Sequence, residues 1–407
     1  MLDIKFIRQN PDKVKEGCRK KQVKIDINTL LELDRKRRNY LKDIESLRSE
    51  KKKLARAEIK KAKELKKQIK EIEPELKKIE TEFNDLMLQV PNLPQEGVPE
   101  GKDESDNVVL RELGEKPKFN FAFKDYLEIS RKLNLIDIKR AAKVSGTRFG
   151  YLKNEAVLLE FALVNFAFEE LKKENFIPVI PPVIVKPEIM QGMGYMERGR
   201  EEMYFIERDN LYLIGTAEQI IGPMHSREIF KEKELPRRYV GFSSCFRREA
   251  GSYGKDTRGI LRVHQFDKIE MFTFCRPEES KKEHQLLLSL EEKFMENLKI
   301  PYRVVQMCTG DLGDPAAAKY DIESWIPSEN RYRETHSTSN CTDFQARRLN
   351  IRYKDKAARL NFVHTLNGTA FAIGRTLIAI IENYQQKDGS IKVPQVLQKY
   401  TNFKKVG

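Results

Sequence analysis

The sequence predicts an α+β protein: an antiparallel sheet flanked by helices, carrying an N-terminal antiparallel helical coiled-coil arm. Three observations predict it. Apolar residues recur at alternating spacings of three and four between residues 30 and 90. A stretch rich in Pro, Gly and charge, VPNLPQEGVPEGKDESDN (Val90 to Asn107), then breaks the pattern. Beyond it, strand-like runs dominate the middle and helical runs surround them. A chain of 407 residues exceeds one ordinary core. The break places an N-terminal domain at 1–100 and a second domain at 101–407.

The arm spans about residues 28–92. Leu30, Leu33, Arg37, Tyr40, Ile44, Leu47, Lys51 and Leu54 form one seam. Leu65, Ile69, Ile72, Leu76, Ile79, Phe83, Leu86 and Val90 form the other. Two such helices with a short connection fold back antiparallel, and the connection falls near Ala55 to Ala62. Pro74 deletes a backbone donor, so a kink or a helix restart is expected there. Residues 35–70 hold sixteen Lys/Arg against five Asp/Glu, a net +11. The whole chain carries +14. A charged helical face need only be solvated, but solubility is served by mixed signs. The one-signed excess points to a polyanionic partner, and nucleic acid is the polyanion it fits best.

In the second domain, Ala156 to Glu174 is a helical run. Strands are expected around 203–206, 211–214, 239–246, 261–274 and 302–307. Helices follow at 277–298 and at 370–384. No apolar run reaches 18 residues, which argues against a membrane-spanning helix. The opening MLDIKFIRQNPDKVKEG has no apolar signal core. Five scattered cysteines without a C-x-x-C pair argue against zinc or a disulfide framework and for a reducing, cytoplasmic setting. There is no P-loop, no Rossmann glycine motif and no G-x-S-x-G.

The chemistry concentrates in FRREAGSYGKDTRGILRVHQFDKIE, Phe246 to Glu270. Two apolar runs flank it, so it reads as a hairpin with a long charged loop. Strand alternation puts Arg247 and Glu249 on one face of the first strand and Arg262, His264, Phe266, Lys268 and Glu270 on one face of the second, so one face of the sheet offers Arg, Glu, Arg, an aromatic and a second Glu. Arginine grips carboxylate or phosphate, an aromatic ring stacks on a base, and Glu accepts from an amine. A zwitterion and a nucleotide would both find partners here. An exposed cross-strand ladder of ion pairs would use the same residues.

The same stretch resembles motif 2 of class II aminoacyl-tRNA synthetases, in the form found in seryl-tRNA synthetases. LNGTAFAIGRTLIAIIENYQ (366–385) resembles motif 3, and VSGTRFGYL with the following helix to IPPVIV (about 146–185) resembles motif 1, ending at Pro182. RETHSTSNCTDFQARR (333–348) resembles the segment between motifs 2 and 3, and Thr216-Ala217-Glu218 the amino-acid-binding loop. The motifs stand in order and the resemblance covers nearly the whole chain. It implies ATP-dependent attachment of L-serine to tRNA(Ser) through seryl-adenylate, and to tRNA(Sec) where that tRNA exists. It also implies a homodimer in the cytoplasm, with no membrane or DNA partner, and ATP and Mg²⁺ at the site.

Carried over position by position, the resemblance makes Arg247 the bridge between the serine carboxylate and the α-phosphate, with Arg375 clamping the γ-phosphate. Thr216, Ala217 and Glu218 would take the serine amino group, and Glu270, Asn367 and Thr369 its hydroxyl. Arg248, Glu249, Arg262, Phe266, Glu334, Thr335, His336 and Ser337 complete the ATP set, with Glu334 and Ser337 toward Mg²⁺. Lys51, Lys52, Lys53, Lys60, Lys61, Lys63, Lys66 and Lys67 would meet tRNA at the arm's tip. The chain departs from the family pattern at His336, often Ser, and at Thr338, often Cys; Thr369 replaces a common Ser and keeps the hydroxyl. The cysteine ligands of the zinc-dependent form are missing, so a zinc-independent enzyme is implied.

Two other readings remain at this stage. A synthetase-like paralogue could charge a carrier protein, but such paralogues lack the long arm. A non-enzymatic coiled-coil nucleic-acid binder would have no use for Arg247, Glu249, Glu334 and Arg375 together.

Overall fold

The computed structural model describes residues 1–54, 58–250, 256 and 258–407. The chain divides into two compact units, Met1–Leu93 and Pro94–Gly407. Residues 95–101, which composition assigns to the linker, are bonded within the second unit: Gln95 N–H donates to Ala317 O at 2.8 Å and Thr309 N–H to Pro99 O at 2.9 Å. Backbone donors and acceptors in a Pro/Gly-rich segment find partners wherever a neighbouring strand edge offers them.

In the first unit, short helices α1 (Ile4–Gln9) and α2 (Pro11–Lys20) precede two long ones, α3 (Ile27–Lys53) and α4 (Ile59–Gln89). Asp26 starts α3 by accepting from the Asn28 and Thr29 amides. Leu30, Leu33 and Ile44 of α3 and Leu65, Ile69, Leu76, Ile79 and Phe83 of α4 are buried, as the seam requires; Ile27 and Met87 are buried outside the repeat, whereas Leu86 is half-buried and Lys51, at the distal end of α3, is exposed. Ion pairs Arg37–Glu80 (3.4 Å), Arg48–Glu73 (3.1 Å) and Lys61–Glu50 (3.0 Å) join the two helices. One partner's number rises as the other falls, so the hairpin is antiparallel. Of the expected connection, residues 55–57 lie outside the described residues. The helix does not restart at Pro74; α4 is assigned through it, because Leu76 and Ile79 immediately beyond stay on the buried seam.

The second unit is built on one eight-stranded sheet. Its strands are β1 (Val108–Leu113), β2 (Phe176–Val179), β3 (Arg237–Phe246), β4 (Gln265–Cys275), β5 (Tyr302–Gln306), β6 (Ala318–Ile326), β7 (Arg331–Asn340) and β8 (His364–Ala372). Their spatial order is β1-β5-β6-β7-β8-β4-β3-β2. Every pairing is antiparallel except the edge pair β2·β3, which is parallel. Helices α5 (Tyr126–Leu133), α6 (Glu155–Lys173), α7 (Ser280–Leu298) and α8 (Ile373–Asn383) contribute to the main core, around Phe166, Phe294, Phe371 and Leu377. A smaller core under Phe230, Tyr239, Phe272 and Tyr353 carries a three-stranded sheet of 229–231, 352–354 and 360–362. The last long helix begins at Ile373 rather than Ala370, because 370–372 still belong to β8. No helix among the described residues is long and apolar enough to cross a membrane.

Candidate active site

A cleft of about 620 Å³ opens over the middle strands of the sheet. Two irregularities decide which side chains enter it. In β7, Ile322 pairs with His336 but Glu323 pairs with Glu334, so Thr335 is an extra residue. In β8, Ile269 pairs with Phe371 but Glu270 pairs with Thr369, so Ala370 is extra. An inserted residue reverses the alternation of faces beyond it. Ser337 and Ser339 therefore line the cleft on one side of the β7 bulge and Glu334 on the other. Asn367 and Thr369 line it on one side of the β8 bulge, and Ala372 on the other. Glu334 and Ser337 are three apart; without the bulge they would face opposite ways.

One end of the cleft is acidic and buried. Glu270 Oε2 lies 2.7 Å from Lys268 Nζ and accepts from Thr369 Oγ1 at 3.2 Å. Glu218 starts a single helical turn, Glu218–Ile221. Its two carboxylate oxygens accept from Tyr195 Oη (2.8 Å) and Gln345 Nε2 (3.0 Å). Burial, followed by the Glu270 charge, pushes the Glu218 carboxyl up to about 7. Asn367 and Cys341 close this end.

The other end is lined by arginines. Arg247 Nε donates to Gly215 O at 3.2 Å, and its guanidinium lies 5.3 Å from the Phe266 ring centre. Arg262 pairs with Glu249 at 2.7 Å. Arg375 donates to Leu261 O (3.4 Å) and Glu334 O (3.0 Å) and pairs with Glu334 Oε2 at 3.3 Å. The surrounding protein acts to raise the Glu334 carboxyl, although its side chain is 47% exposed, but Arg375, Lys319 and Arg247 outweigh it and hold it at about 2. A permanently ionised carboxylate beside Ser337 is a hard-oxygen pair of the kind Mg²⁺ takes when phosphates supply the remaining ligands. No protein cluster of three or more His, Cys, Asp or Glu able to hold a metal occurs among the described residues.

The family assignment follows from similarity along the whole length. The seryl-tRNA synthetase N-terminal domain matches residues 1–94, and the tRNA synthetase class II core domain (G, H, P, S and T) matches residues 204–384. The serine–tRNA ligase of Dictyoglomus thermophilum is 48% identical over 100% of this chain and 99% of its own. The chain belongs to the serine–tRNA ligases. Among solved structures, seryl-tRNA synthetase from Pyrococcus horikoshii complexed with ATP superposes with a TM-score of 0.93 at 42% identity, covering 100% of this chain and 99% of that one. The cytoplasmic enzyme of Naegleria fowleri in complex with AMP gives 0.90 at 35%, covering 100% and 98%.

This ligase joins serine to tRNA, and most side chains the sequence singles out for that work line the cleft. Thr216, Glu218, Arg247, Glu249, Arg262, Phe266, Glu270, Glu334, Thr335, Ser337, Asn367, Thr369 and Arg375 all do. Thr335 does so with its hydroxyl already engaged, 2.8 Å from Ser324 Oγ. Ala217 is buried behind the lining, and the Arg248 amide is tied to Glu202 O at 2.8 Å with its side chain outside the lining.

His336 does not reach the ligase's cleft. It is fully buried on the opposite face, its Nδ1 2.9 Å from Thr335 Oγ1 and its ring 5.7 Å from Phe371. Burial pushes that imidazole down to about 3, so it is a neutral core residue. The shared-face expectation for Arg247 and Glu249 also fails as an argument. β3 ends at Phe246, and Glu249 adopts φ +52. Arg262 and His264 likewise precede β4. Residues 251–255 and 257 of this stretch lie outside the described residues.

Sequence reasoning leaves Lys268 out of the site, although it shares the face of Phe266 and Glu270. Tyr195, Gln345, Lys319 and Cys341 give no local signal. The eight lysines of the arm are all exposed; Lys61 pairs with Glu50 and Lys67 with Glu71 at 4.0 Å.

Proposed function

We propose that the cleft makes seryl-adenylate from serine and ATP and then transfers the seryl group to tRNA. One observation carries the reading: buried Glu218 and Glu270 stand at one end of the cleft, Arg262 and Arg375 stand at the other, and Arg247 lines the cleft with them. A zwitterionic amino acid with a hydroxyl suits the first end, and a triphosphate the second. Glu218 receives the ammonium, while Glu270, Thr369 and Asn367 surround the hydroxyl. Arg247 lies between, where carboxylate and α-phosphate meet. A serine carboxylate oxygen attacks the α-phosphorus, the bond to the bridging oxygen breaks, and pyrophosphate leaves. The terminal ribose hydroxyl of tRNA then attacks the acyl carbon, and AMP departs. The work is positioning and charge stabilisation, not proton transfer by a tuned acid or base. Glu334 and Ser337 would hold Mg²⁺ against the phosphates, where the ion neutralises charge.

The full-length match of the arm to the N-terminal domain of this family favours tRNA over a carrier protein as acceptor. A homodimer is supported by large apolar side chains left exposed on α6 and just beyond it: Leu158 and Phe161, each 52% exposed, and Ile180, 82% exposed. A cytoplasmic setting is supported by five free cysteines, all buried.

ATP–pyrophosphate exchange with each of the twenty amino acids tests the site. Serine alone should support exchange. Exchange without serine dependence would overturn the assignment of the acidic end.

A further inference from the structure

Tyr126 lies outside the three motifs, at the start of α5, and is 8% exposed. Its phenolic oxygen accepts from the Ile260 amide at 2.9 Å. Gly259, immediately before, has φ +83, and a Cβ there would fall 1.6 Å from that oxygen. The glycine is therefore required twice, by its backbone and by the space Tyr126 occupies. Ile260, Leu261 and Arg262 line the arginine end of the cleft. The Leu261 carbonyl accepts from Arg375 Nε at 3.4 Å.

The tyrosine is itself anchored. Its amide donates to Glu382 Oε1 at 2.9 Å, and Glu382 accepts from the Ser328 amide (2.9 Å) and the Ser328 hydroxyl (2.8 Å). Glu382 and Arg375 stand on the same helix, α8. These bonds close a ring from α8 through Tyr126 to the returning limb of the charged loop and back to Arg375.

We infer that Tyr126 is a positioning residue for the nucleotide end of the site: its oxygen fixes the backbone at Ile260, and the adjoining Leu261–Arg262 backbone aims Arg262 and Arg375. A ring that only filled the core would need no hydroxyl. The inference rests on the proposed roles of Arg262 and Arg375 toward ATP.

The test is pyrophosphate exchange by the full-length enzyme, varied separately in ATP and in serine. Tyr126→Phe keeps the ring and leaves the buried Ile260 amide without its acceptor, so KM for ATP should rise about tenfold while KM for serine moves less than about twofold. Gly259→Ala disturbs the same hydrogen bond from the other side and should split the two constants the same way; it carries the test if Tyr126→Phe does not fold. An unchanged ATP dependence in both variants, or equal shifts for ATP and serine, would overturn the inference. Arg375→Ala run in parallel separates the two layers. If it raises KM for ATP and the other variants do not, only the role of Tyr126 is lost. If it too leaves the ATP dependence alone, the reading of the arginine end is lost.

Discussion

Lys268 and Glu270 form a buried ion pair, Nζ to Oε2 2.7 Å, two residues apart on one face of β4. A pair held this far from water is costly to break from one side, because the surviving charge has no solvent to turn to. Glu270→Ala should lose serine recognition by about 2–4 kcal/mol in activation, through the missing acceptor and the stranded lysine together. Serine-dependent pyrophosphate exchange measures it. Near-normal exchange in this variant would mean that Glu270 is a structural pair and not part of the serine pocket.

Arg375→Ala should leave the fold intact and weaken ATP use. The side chain is tied to Leu261 O and to Glu334, and it faces the cleft. Losing a preorganised cationic donor where phosphate charge develops costs about 100-fold. The dependence of exchange rate on ATP concentration reports it, and an ATP dependence like that of the unaltered enzyme would speak against the clamp.

Much of this site is readable from the chain, and the unreadable part has a physical cause. Phe266, Lys268 and Glu270 obey simple alternation on β4. Glu334 and Ser337 do not, because the bulge at Thr335 changes the face between them, and no composition signal marks a bulge. The same bulge turns His336 inward. β7 is polar on both faces around its bulge, with Glu334 and Ser337 toward the cleft and Thr335, His336 and Thr338 buried, so it shows no apolar face at period two. β6 does alternate, Ala318, Tyr320 and Ile322 against Lys319 and Asp321, but Ser324 breaks the apolar side after three positions. A run that short is a weak strand signal. The arm is legible because nothing interrupts its repeat.

A buried acid away from the cleft gives a pH prediction. Glu160 of α6 is 7% exposed, and burial, with the neighbouring Asp267 charge, pushes its carboxyl up to about 8. The folded state then keeps a proton that the unfolded chain releases above its ordinary value of 4.5. Between those two values the folded state binds more protons, so its stability falls as pH rises. Glu160→Gln keeps a hydrogen-bond donor toward Asp267 and removes the titration. Thermal melts from pH 5 to pH 8 should show the variant gaining on the native enzyme as pH rises. Parallel curves would rule out a retained proton.

The arm sets a net +11 between residues 35 and 70 on a stiff antiparallel hairpin, and its eight tip lysines are exposed. A polyanion long enough to lie along it would release counterions wherever a lysine meets a phosphate. Removing one such lysine should flatten the salt dependence of binding by about 0.7–0.9 in log–log slope. A variant lacking residues 35–85, closed by a short linker, separates the two steps of the reaction. Every cleft residue lies beyond position 190, so seryl-adenylate should still form and pyrophosphate exchange should persist. Transfer to tRNA should collapse, and residual tRNA binding should be weak and nearly indifferent to salt. A second variant with Lys51, Lys52, Lys53, Lys60, Lys61, Lys63, Lys66 and Lys67 changed to Gln keeps the hairpin and removes the charge. If it binds tRNA with the native salt slope, the helices and not their lysines meet the nucleic acid. If the shortened enzyme charges tRNA as well as the intact one, the arm is a solvated spacer and its charge serves solubility alone.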